Sequence, residues 1–485
     1  MSIVSSCPVE LAVMQCLVNL PRLLNQPLKV AVALSGGLDS MVLLHAVARC
    51  IKAHAPSIPD LPLLYAFHIH HGLSAHADQW QGFCQQQAEQ RDIFFASERI
   101  HLMPSPEGGI EQAARQGRYA ALQSLCHRHD IDALLTAHHQ DDQAETVLLQ
   151  LLRGAGVHGL AAMQAMPTAT SLVAQRAPLY RPFLSLSRQQ LADYAAQQPL
   201  TYVDDESNHN QHYARNAIRH DIMPRLQKIR SGCSKSLARS AALLSEAAVL
   251  LDDMAQTDLN LVSPTTQAKH DSGATELFCA TSLYPISCQL LMQLNAPRAR
   301  NVLRYWLTSQ GLRAPSAVHL GEMLKQFACV NHNTRASLQH DGRTVSVWRG
   351  HIWLEPIRLT TKPPDISFTW QGQSQWSVPQ WGGTLQFLPA RSGQPSIAKE
   401  LLLAQPIHIR ARSGGERFRL HPQRPSRSLQ HAYQEQHVPP WMRTGPLIYM
   451  GEQLVFAAHL GLHCAASMVA SAGSDGAVYL QWQHA

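Results

Sequence analysis

The chain lacks the features that mark several common classes of protein. Its ten cysteines stand singly along 485 residues and form no C-x-x-C pair, which argues against a structural zinc or iron–sulfur site. No apolar run approaches the roughly 18 residues of a membrane-spanning helix. No Lys or Arg precedes Arg22, so the N-terminus does not have the pattern of a secretory signal. The sequence therefore predicts a cytoplasmic protein with reduced, mostly buried thiols and no membrane partner.

Charged residues are also scarce, at 15% of the chain, whereas 45% of it is hydrophobic. Such a composition is typical of a folded globular protein and not of a disordered one. A chain of 485 residues exceeds what one hydrophobic core usually organises, so two or three domains are expected. The formal net charge of +6 is a mild basic bias that is compatible with a nucleic-acid partner.

A glycine pair follows the first strong strand pattern, in the segment Ser35-Gly36-Gly37-Leu38-Asp39-Ser40. The apolar run before it (30–34) and the helix-compatible run after it (41–47) predict a strand, a tight turn and a helix. The segment has neither the Lys of a Walker loop nor the spacing of a dinucleotide fingerprint. Free backbone N–H groups at a helix start bind anions, and Asp39 would suit a metal ion that touches phosphates. A capped helix after a glycine turn, with no ligand, is the alternative.

Strand and helix patterns continue to alternate after this turn. Further strands are predicted at residues 63–69, 93–96 and 133–137, and helices at residues 107–129 and 141–152. This alternation predicts a parallel, doubly wound sheet, in which ligands bind at the carboxyl ends of the strands.

Polar side chains gather where two of these strands end. His68 belongs to a histidine-rich segment at the end of one strand, and the strand at 133–137 is followed by His138, His139, Asp141, Asp142 and Glu145. Three interpretations stay open: acids that favour the helix dipole, a zinc site, or a Mg²⁺ site on ATP. In the third, which we prefer, Asp39 and Asp142 supply oxygen ligands and His138 positions the reacting group. Capping or bracing the helix is as compatible with Asp141 and Glu145.

These motifs, in this order, resemble the bacterial tRNA(Ile)-lysidine synthases of the ATP pyrophosphatase (PP-loop) family. The resemblance rests on S-G-G-L-D-S at 35–40, H-H-G-L-S at 70–74, E-x-x-A-R-x-x-R-Y at 111–119, T-A-H-H-x-D-D-Q-x-E-T at 136–146 and L-L-x-L-L-R-G-x-G at 148–156. R-P-F at 181–183 and Y-x-R-N-x-x-R at 213–219 continue it. The implied fold is α/β: an N-terminal doubly wound parallel sheet of the PP-loop, adenine nucleotide alpha hydrolase-like type. A mainly helical middle domain and a small α+β C-terminal domain follow it.

The resemblance implies an ATP-dependent ligase with a two-step reaction. ATP adenylates the C2 oxygen of the wobble cytidine in the CAU anticodon of tRNA(Ile), and pyrophosphate leaves. The ε-amine of free L-lysine then attacks C2 and displaces AMP, which gives lysidine and changes codon reading from AUG to AUA. ATP and Mg²⁺ are the implied cofactors, and tRNA(Ile) and free lysine are the implied partners. The sequence does not determine the oligomeric state, and a homodimer is one option.

The residues and the resemblance together assign expected roles. Nucleotide binding is expected of Ser35, Gly36, Gly37, Leu38, Asp39, Ser40, His68 and Arg115. Catalysis is expected of Asp39, Asp142, His138 and Arg118, with the two aspartates as the metal ligands. Arg115 and Arg118 lie three residues apart on one predicted helix, so both can point at phosphate; ordinary surface arginines are the alternative.

Basic residues recur after the sheet domain. Contacts with tRNA are expected of Arg215, Arg219, Arg300, Arg304, Arg417 and Arg427. A solvated basic face is the alternative for each cluster. Trp306 is expected in the core rather than as a platform for base stacking. The patterns R-x-x-L-R-x-W-L at 300–307, R-x-G-G-E-R-F-R at 412–419, S-R-S-L at 426–429 and V-P-P-W at 438–441 resemble the middle and C-terminal domains of the family.

Four domains are predicted along the chain. They are an ATP-binding, adenylating domain (1–227), a mainly helical tRNA-binding domain (228–358), a β-rich connector (359–404) and a C-terminal tRNA-binding domain (405–485). A tRNA thiolase on the same sheet is a rival, but it would need a reactive cysteine beside His138, and none is there. A module that only binds ATP and RNA is a second rival, and it would not need the pair Asp39 and Asp142.

Overall fold

The computed structural model describes the chain in several stretches. They are residues 7–20, 27–54, 62–72, 74, 76–100, 109–167, 177–204, 214–263, 285–329, 336–356, 363–390, 396–421, 423–464 and 476–484. The chain forms two compact units, Met1–Leu251 and Asp252–Ala485. Within the described stretches, no helix has both the length and the apolar character to cross a membrane.

The first unit is built on a five-stranded parallel sheet with the order β3-β2-β1-β4-β5. Its strands are β1 (Lys29–Ala33), β2 (Leu63–His70), β3 (Phe94–Arg99), β4 (Ala133–Leu135) and β5 (Leu179–Tyr180). Val30 pairs with Leu64 on one side and with Ala133 on the other, so β1 lies in the middle of the sheet. The predicted parallel sheet is confirmed.

Helices precede, connect and follow the strands of this sheet. They are α1 (Pro8–Val18), α2 (Leu38–His54), α3 (Ala77–Glu89), α4 (Gly109–Arg128), α5 (Gln140–Leu152), α6 (Val157–Leu160) and α7 (Arg188–Gln197). The chain continues through α8 (Ala214–Ala217), a π-helical turn (Ile218–Ile222), α9 (Met223–Ile229) and α10 (Cys233–Val262). The last of these helices starts in the first unit and ends in the second.

Alternate side chains of the central strand enter two separate cores. Val30 and Val32 are fully buried in the core that β1 forms with α1, α2 and α7. Ala31 points to the opposite face, where it belongs to the same core as Leu122 and Leu125 of α4. Because successive side chains of a strand alternate between faces, a strand covered on both sides needs a continuous apolar run. The apolar run that precedes the glycine pair satisfies this requirement and anchors the loop that follows.

The second unit contains helices packed on a four-stranded antiparallel sheet. The helices are α11 (Cys288–Gln293), α12 (Ala296–Ser309) and α13 (Ala317–Ala328). The sheet has the order β6-β9-β8-β7 and consists of β6 (Ile286–Ser287), β7 (Ala336–His340), β8 (Arg343–Trp348) and β9 (His351–Leu354). Trp306 is 2% exposed and packs in the core between them. It is therefore a core residue, as predicted, and not a platform for base stacking.

Antiparallel sheets continue through the rest of the second unit. Their strands are β10 (Ile366–Phe368), β11 (Gln375–Val378), β12 (Gly383–Pro389), β13 (Ile397–Ala398), β14 (Ile407–Arg410), β15 (Arg417–Phe418), β16 (Arg427–Ser428), β17 (Leu447–Met450), β18 (Gln453–Ala457), β19 (Gly461–Leu462) and β20 (Ala477–His484). The sheet orders are β10-β14-β17-β18-β19, β11-β12-β20-β13 and β15-β16. Two short helices, α14 (Lys399–Ala404) and α15 (Leu429–Glu435), lie between strands. Strands on both sides of residue 405 share these sheets, and the predicted domain boundaries stay predictions.

Gly383 lies where β12 meets β20, with almost no room for a side chain. A Cβ atom at this position would lie 2.4 Å from the Gln483 carbonyl oxygen and 2.5 Å from the Trp482 ring. The nearest atom belongs to the backbone of a paired strand, so it cannot move away without breaking the pairing. We expect Gly383→Ala to lower the free energy of unfolding of the second unit by about 1–3 kcal/mol, as measured by urea denaturation.

Gly321→Ala is the matched control for this substitution. Gly321 lies inside α13, and among the described residues no atom outside its chain neighbours and its own helical backbone lies within 4 Å of a Cβ added there. Ala is also the better helix former by about 1 kcal/mol, so this variant should be at least as stable as the parent chain. Equal stability of the two variants would contradict the crowding described at Gly383.

Candidate active site

The loop Ser35–Ser40 connects β1 to α2 at the carboxyl edge of the parallel sheet. Ser40 donates a hydrogen bond to the Gly37 carbonyl at 2.9 Å, and the Ser35 and Ser40 hydroxyls are 3.1 Å apart. Gly36 has a φ of +88°, and a Cβ there would lie 3.1 Å from the Cys84 sulfur. Glycine is therefore required at this position, both for the left-handed backbone and for the close approach of α3.

His68 lies behind this loop. It is 5% exposed, and its Nδ1–H donates a hydrogen bond to the Leu34 carbonyl at 2.9 Å. Burial lowers the pKa of His68, so the ring is neutral at pH 7 and ties β2 to the residue before the loop. Its expected role in nucleotide binding stays a prediction, and His71 is the nearby histidine that lines the open cleft.

An open cleft of about 200 Å³ lies at the carboxyl ends of β1, β2 and β4. Five of its lining residues were expected in a site, namely Ser35, Asp39, Ser40, Arg118 and His138. Other lining residues had been assigned no role: His71, Tyr119 and Thr136 were noted only as positions of motifs, and Phe67, Ile69 and Leu122 belong to none of the quoted motifs. The position of the cleft follows from the parallel sheet, because each strand ends at the same edge.

The side chain of His139 lies between the carboxylates of Asp39 and Asp142. The His139 Nε2 atom is 3.5 Å from Asp39 Oδ2 and 3.4 Å from Asp142 Oδ2. Burial lowers the pKa of His139, but the hydrogen bond to Asp39 and the charges of Asp142, Asp39 and Asp141 outweigh burial, and the net effect raises the pKa. Sequence patterns assigned no role to His139, which had been noted only as one member of the polar segment after β4.

Asp142 and Glu145 bind the same two arginines. Asp142 Oδ1 accepts hydrogen bonds from Arg215 at 2.9 Å and Arg219 at 3.1 Å. The Glu145 carboxylate accepts hydrogen bonds from the Nε atoms of Arg215 at 3.0 Å and Arg219 at 2.6 Å. Burial raises the pKa of Asp142, but the charges of His139 and Arg215 dominate and hold it well below its usual range. Glu145 therefore holds the helical segment that follows residue 213 against α5, a contact that the sequence did not indicate.

Arg215 and Arg219 are thus partly buried on carboxylates of the site, with 23% and 27% of their side chains exposed. Sequence spacing had suggested that they contact tRNA. To do so, they would have to exchange carboxylate partners for RNA phosphates, and this role stays a prediction.

His138 contributes a neutral ring to the cleft. Burial is the main cause that lowers its pKa to about 3, and the charges of Arg181, Arg215 and Arg118 act in the same direction, against the attraction of Asp142. The Thr136 hydroxyl lies 2.9 Å from His138 Nδ1 and fixes the orientation of the ring. At pH 7 the ring of His138 is uncharged, so one of its nitrogens donates a hydrogen bond and the other accepts one.

Asp39 has a feature that fits a metal ion. Its Oδ1 atom is buried and has no hydrogen-bond partner among the described residues. Those residues contain no group of three or more His, Cys, Asp and Glu side chains arranged to hold a metal. Mg²⁺ typically takes one or two carboxylates together with substrate phosphates, so this donor set suits Mg²⁺ on a nucleotide better than zinc. Asp142 is the less free of the two acids, because Arg215 and Arg219 already occupy its Oδ1.

The guanidinium groups of Arg115 and Arg118 both lie near the ring of Tyr119, but only Arg118 lines the cleft. The guanidinium carbons lie 5.3 Å and 5.7 Å from the ring centroid, respectively, which are cation–π distances. Arg118 lines the cleft, whereas Arg115 is exposed and does not. Both assigned roles stay predictions.

The expected tRNA-binding arginines of the second unit differ in exposure. Arg300 is exposed on α12, whereas Arg304 is held by Asp252 at 2.6 Å. Arg417 is exposed and donates a hydrogen bond to the Ser426 carbonyl. Arg427 is 58% exposed, 3.6 Å from a Glu435 oxygen. Arg300, Arg417 and Arg427 are thus the three of these four that are accessible.

Comparison with known proteins finds a matching family model in each of three regions of the chain. A PP-loop domain model matches residues 10–226, a TilS substrate binding domain model matches residues 286–353, and a TilS substrate C-terminal domain model matches residues 407–482. The chain is 41% identical over 445 residues to a tRNA(Ile)-lysidine synthase of Ralstonia nicotianae, covering 89% of this chain and 88% of the relative. It is 38% identical to the synthase of Pseudomonas putida, covering 92% and 95%. It is 36% identical to that of Burkholderia pseudomallei, covering 90% and 89%.

The carboxylate–arginine cluster makes a direct prediction about stability. The Glu145 side chain is 4% exposed and binds two arginines. Removal of one partner from a buried ion pair typically costs 3–5 kcal/mol because the other charge stays buried. We therefore expect Glu145→Ala to lower the free energy of unfolding of the first unit by about 3 kcal/mol or more, measured by urea denaturation.

Glu98→Ala is the control for this loss. Glu98 pairs with Arg128, whose side chain is 57% exposed, at 3.0 Å, and such surface pairs contribute about 1 kcal/mol or less. If both variants lose the same stability, Glu145 does not hold a buried charge cluster together.

Proposed function

The chain belongs to the tRNA(Ile)-lysidine synthase family, and we propose that it joins free L-lysine to C2 of the wobble cytidine in the CAU anticodon of tRNA(Ile). The reaction consumes ATP, releases AMP and pyrophosphate, and gives lysidine, so that the tRNA reads AUA in place of AUG. The enzyme is accordingly an ATP-dependent ligase that forms a carbon–nitrogen bond. We propose that it acts in the cytoplasm, without a membrane partner.

One observation supports the proposal most directly: the cleft brings together groups from three distant segments that adenylation requires. The loop at 35–40 offers a helix N-terminus, α4 offers Arg118, and the segment after β4 offers His138. In adenylation the C2 oxygen attacks the α-phosphorus, and the bond from that phosphorus to the leaving pyrophosphate oxygen breaks. Negative charge accumulates on the pyrophosphate, and N–H groups and guanidinium groups at this place stabilise it.

Asp39, with Asp142 as its neighbour across His139, would hold Mg²⁺. Bound there, the ion would neutralise charge on the phosphates. The buried, unpartnered Oδ1 atom of Asp39 is the observation that favours this residue as the main ligand. His139 keeps both carboxylates oriented through its Nε2 atom.

The second step moves the lysine ε-amine onto C2. The C2–N bond forms, the bond from C2 to the adenylate oxygen breaks, and AMP leaves with that oxygen. His138 is uncharged at pH 7 because of its low pKa, so it orients the reacting group by hydrogen bonding without repelling the cationic lysine. The lysine amine must lose a proton before it attacks, and a carboxylate or a histidine of the site would accept that proton as the general base.

The tRNA is proposed to meet basic residues of both units. Arg300, Arg417 and Arg427 are exposed, so they can reach RNA phosphates without breaking a buried ion pair. Arg304, Arg215 and Arg219 would first have to leave Asp252, Asp142 and Glu145, and we expect smaller contributions from them. A homodimer is an assembly compatible with this function, and sedimentation velocity distinguishes it from a monomer.

The decisive experiment is incubation of the purified chain with tRNA(Ile) carrying a CAU anticodon, ATP, Mg²⁺ and labelled lysine. We expect label to enter the wobble cytidine, with one AMP released for each lysine attached. Methionine tRNA, which carries the same anticodon triplet, is the matched control and should stay unlabelled. Folded enzyme and intact tRNA that yield no labelled nucleoside would refute the proposed function.

Asp39→Ala should abolish adenylation and leave tRNA binding near that of the parent chain. The reason is that this carboxylate lies at the phosphate end of the cleft and takes no part in an RNA surface. Pyrophosphate release and tRNA affinity are the two measurements, and Asp193→Ala, an exposed acid on α7, is the control. Parallel loss of both properties would mean that Asp39 is structural.

Replacement of Arg417 and Arg427 by Gln should weaken tRNA binding and flatten its dependence on salt. Each lost phosphate contact reduces the slope of log K against log salt concentration by roughly 0.9. Lys325→Gln, which removes an exposed charge on α13 (75% exposed), serves as the control. A salt slope that does not change in the double variant removes these two arginines from the RNA-binding surface.

A further inference from the structure

The arginines around the cleft fall into two classes according to their partners. Arg215 and Arg219 are neutralised by Asp142 and Glu145. Arg118 and Arg181 have no carboxylate within ion-pair distance among the residues that the structure describes. Since a partly buried cation without a counterion is unfavourable, the second class requires its own explanation.

Arg181 lies at the same sheet edge as the cleft. It follows β5 directly, and β5 pairs with β4 through Leu135 and Tyr180. The Thr136 N–H donates to the Tyr180 carbonyl at 3.0 Å, so Arg181 comes next to a residue that lines the cleft. Its charge also reaches into the site, because it lowers the pKa of His138.

The surroundings of Arg181 leave its charge largely uncompensated. Its Nη1 donates a hydrogen bond to the Gln164 carbonyl at 2.8 Å, which is a neutral acceptor. Its Nε atom is buried and donates to no acceptor among the described residues. Burial lowers the pKa of Arg181, and the Tyr119 side chain offsets only part of this effect.

Tyr119 connects the two unpaired arginines. The Arg118 guanidinium carbon lies 5.7 Å from the centroid of the Tyr119 ring. The Tyr119 hydroxyl forms a hydrogen bond with the Arg181 side chain. Both Arg118 and Tyr119 line the cleft. Arg118 and Arg181, neither of which has a carboxylate partner among the described residues, thus both contact Tyr119, a residue of the cleft wall.

We propose that Arg181 is a phosphate-binding residue of this site, and that Arg181 and Arg118, held by Tyr119, together bind the polyphosphate chain of ATP. The inference rests on the proposed use of ATP and adds Arg181 and Tyr119 to the residues that bind it. The anion supplies the missing acceptor for the Arg181 Nε–H and the missing counterion for both guanidinium groups. Arg–phosphate hydrogen bonds are short, often bidentate and stronger than neutral ones.

Inorganic tripolyphosphate is the probe that tests this assignment. Titration calorimetry on the full chain, without tRNA, lysine or Mg²⁺, measures the affinity for tripolyphosphate alone. We expect Arg181→Met to weaken it about tenfold or more, because hydrogen bonds to charged groups contribute about 1.5–3 kcal/mol. Arg181→Lys, which keeps the charge and loses the planar fork, should lie between the two. Arg128→Met, at the far end of α4 and 57% exposed, should bind like the parent chain.

Thermal stability gives a second readout that separates binding from structure. A cation without a counterion destabilises the ligand-free fold, so Arg181→Met should melt at the same or a higher temperature than the parent chain. The rise in melting temperature that tripolyphosphate causes should be reduced in this variant. A lower melting temperature combined with an unchanged tripolyphosphate effect would show a structural residue and overturn the proposal.

Two further outcomes also overturn it. Unchanged affinity for tripolyphosphate in both Arg181 variants removes this residue from the phosphate site. In a parallel calorimetric titration with L-lysine as the only ligand, weaker lysine binding by the Arg181 variants, combined with unchanged tripolyphosphate binding, assigns the anion to the lysine carboxylate instead. The assay contains no tRNA, so a chain that binds tripolyphosphate but makes no lysidine would refute the proposed function and leave this inference standing.

Discussion

Mutual neutralisation of Asp142, Glu145, Arg215 and Arg219 is the interaction on which the geometry of the cleft depends. A carboxylate that is buried alone takes up a proton, because the charged form loses its hydration. Here two acids on one face of α5 meet two arginines of a single helical segment, and the pKa of Asp142 stays low. The constraint extends further through His139, whose Nε2 atom lies 3.5 Å from Asp39 Oδ2 in the loop at 35–40.

Sequence patterns predicted the frame of the site well. The apolar run at 30–34, the glycine pair and the helix that follows are local features, and the polar residues at the ends of β2 and β4 mark one edge of a parallel sheet. These signals predict that Asp39 and His138 lie in one region, and both line the cleft, as does Arg118, which was expected there from the family resemblance and from its spacing on α4.

The partners of the charged residues could not be predicted in the same way. Arg215 and Arg219 lie 70 and 74 residues after Glu145 along the chain. Helical and strand periodicities relate residues within one element, so they cannot indicate a contact at that separation. A pair of adjacent histidines also gave no sign that His139 joins the two aspartates while His138 faces the cleft. Strand β5 has two residues, too few to show a pattern, and so the sequence offers Arg181 only as part of a motif.

The same limit applies to the second unit. Arg300 and Arg304 are four residues apart and look equivalent in the sequence, yet Arg304 is bound to Asp252 on α10 and Arg300 is exposed. Trp306 was placed correctly because helical periodicity reports which face is buried. Which arginine is already paired depends on a helix some fifty residues earlier, and only the folded chain shows it.

The separation between the acids and their arginines has a consequence for biogenesis. Chains emerge from the ribosome N-terminus first, and domains begin to fold as they appear. The parallel sheet can assemble once β5 has been made, but Asp142 and Glu145 then face each other without counterions until Arg219 arrives and folds back. A long-range closure of this kind is slow compared with local helix formation. During synthesis the residues of the parallel sheet are therefore complete before the arginines that neutralise its acidic centre have been made.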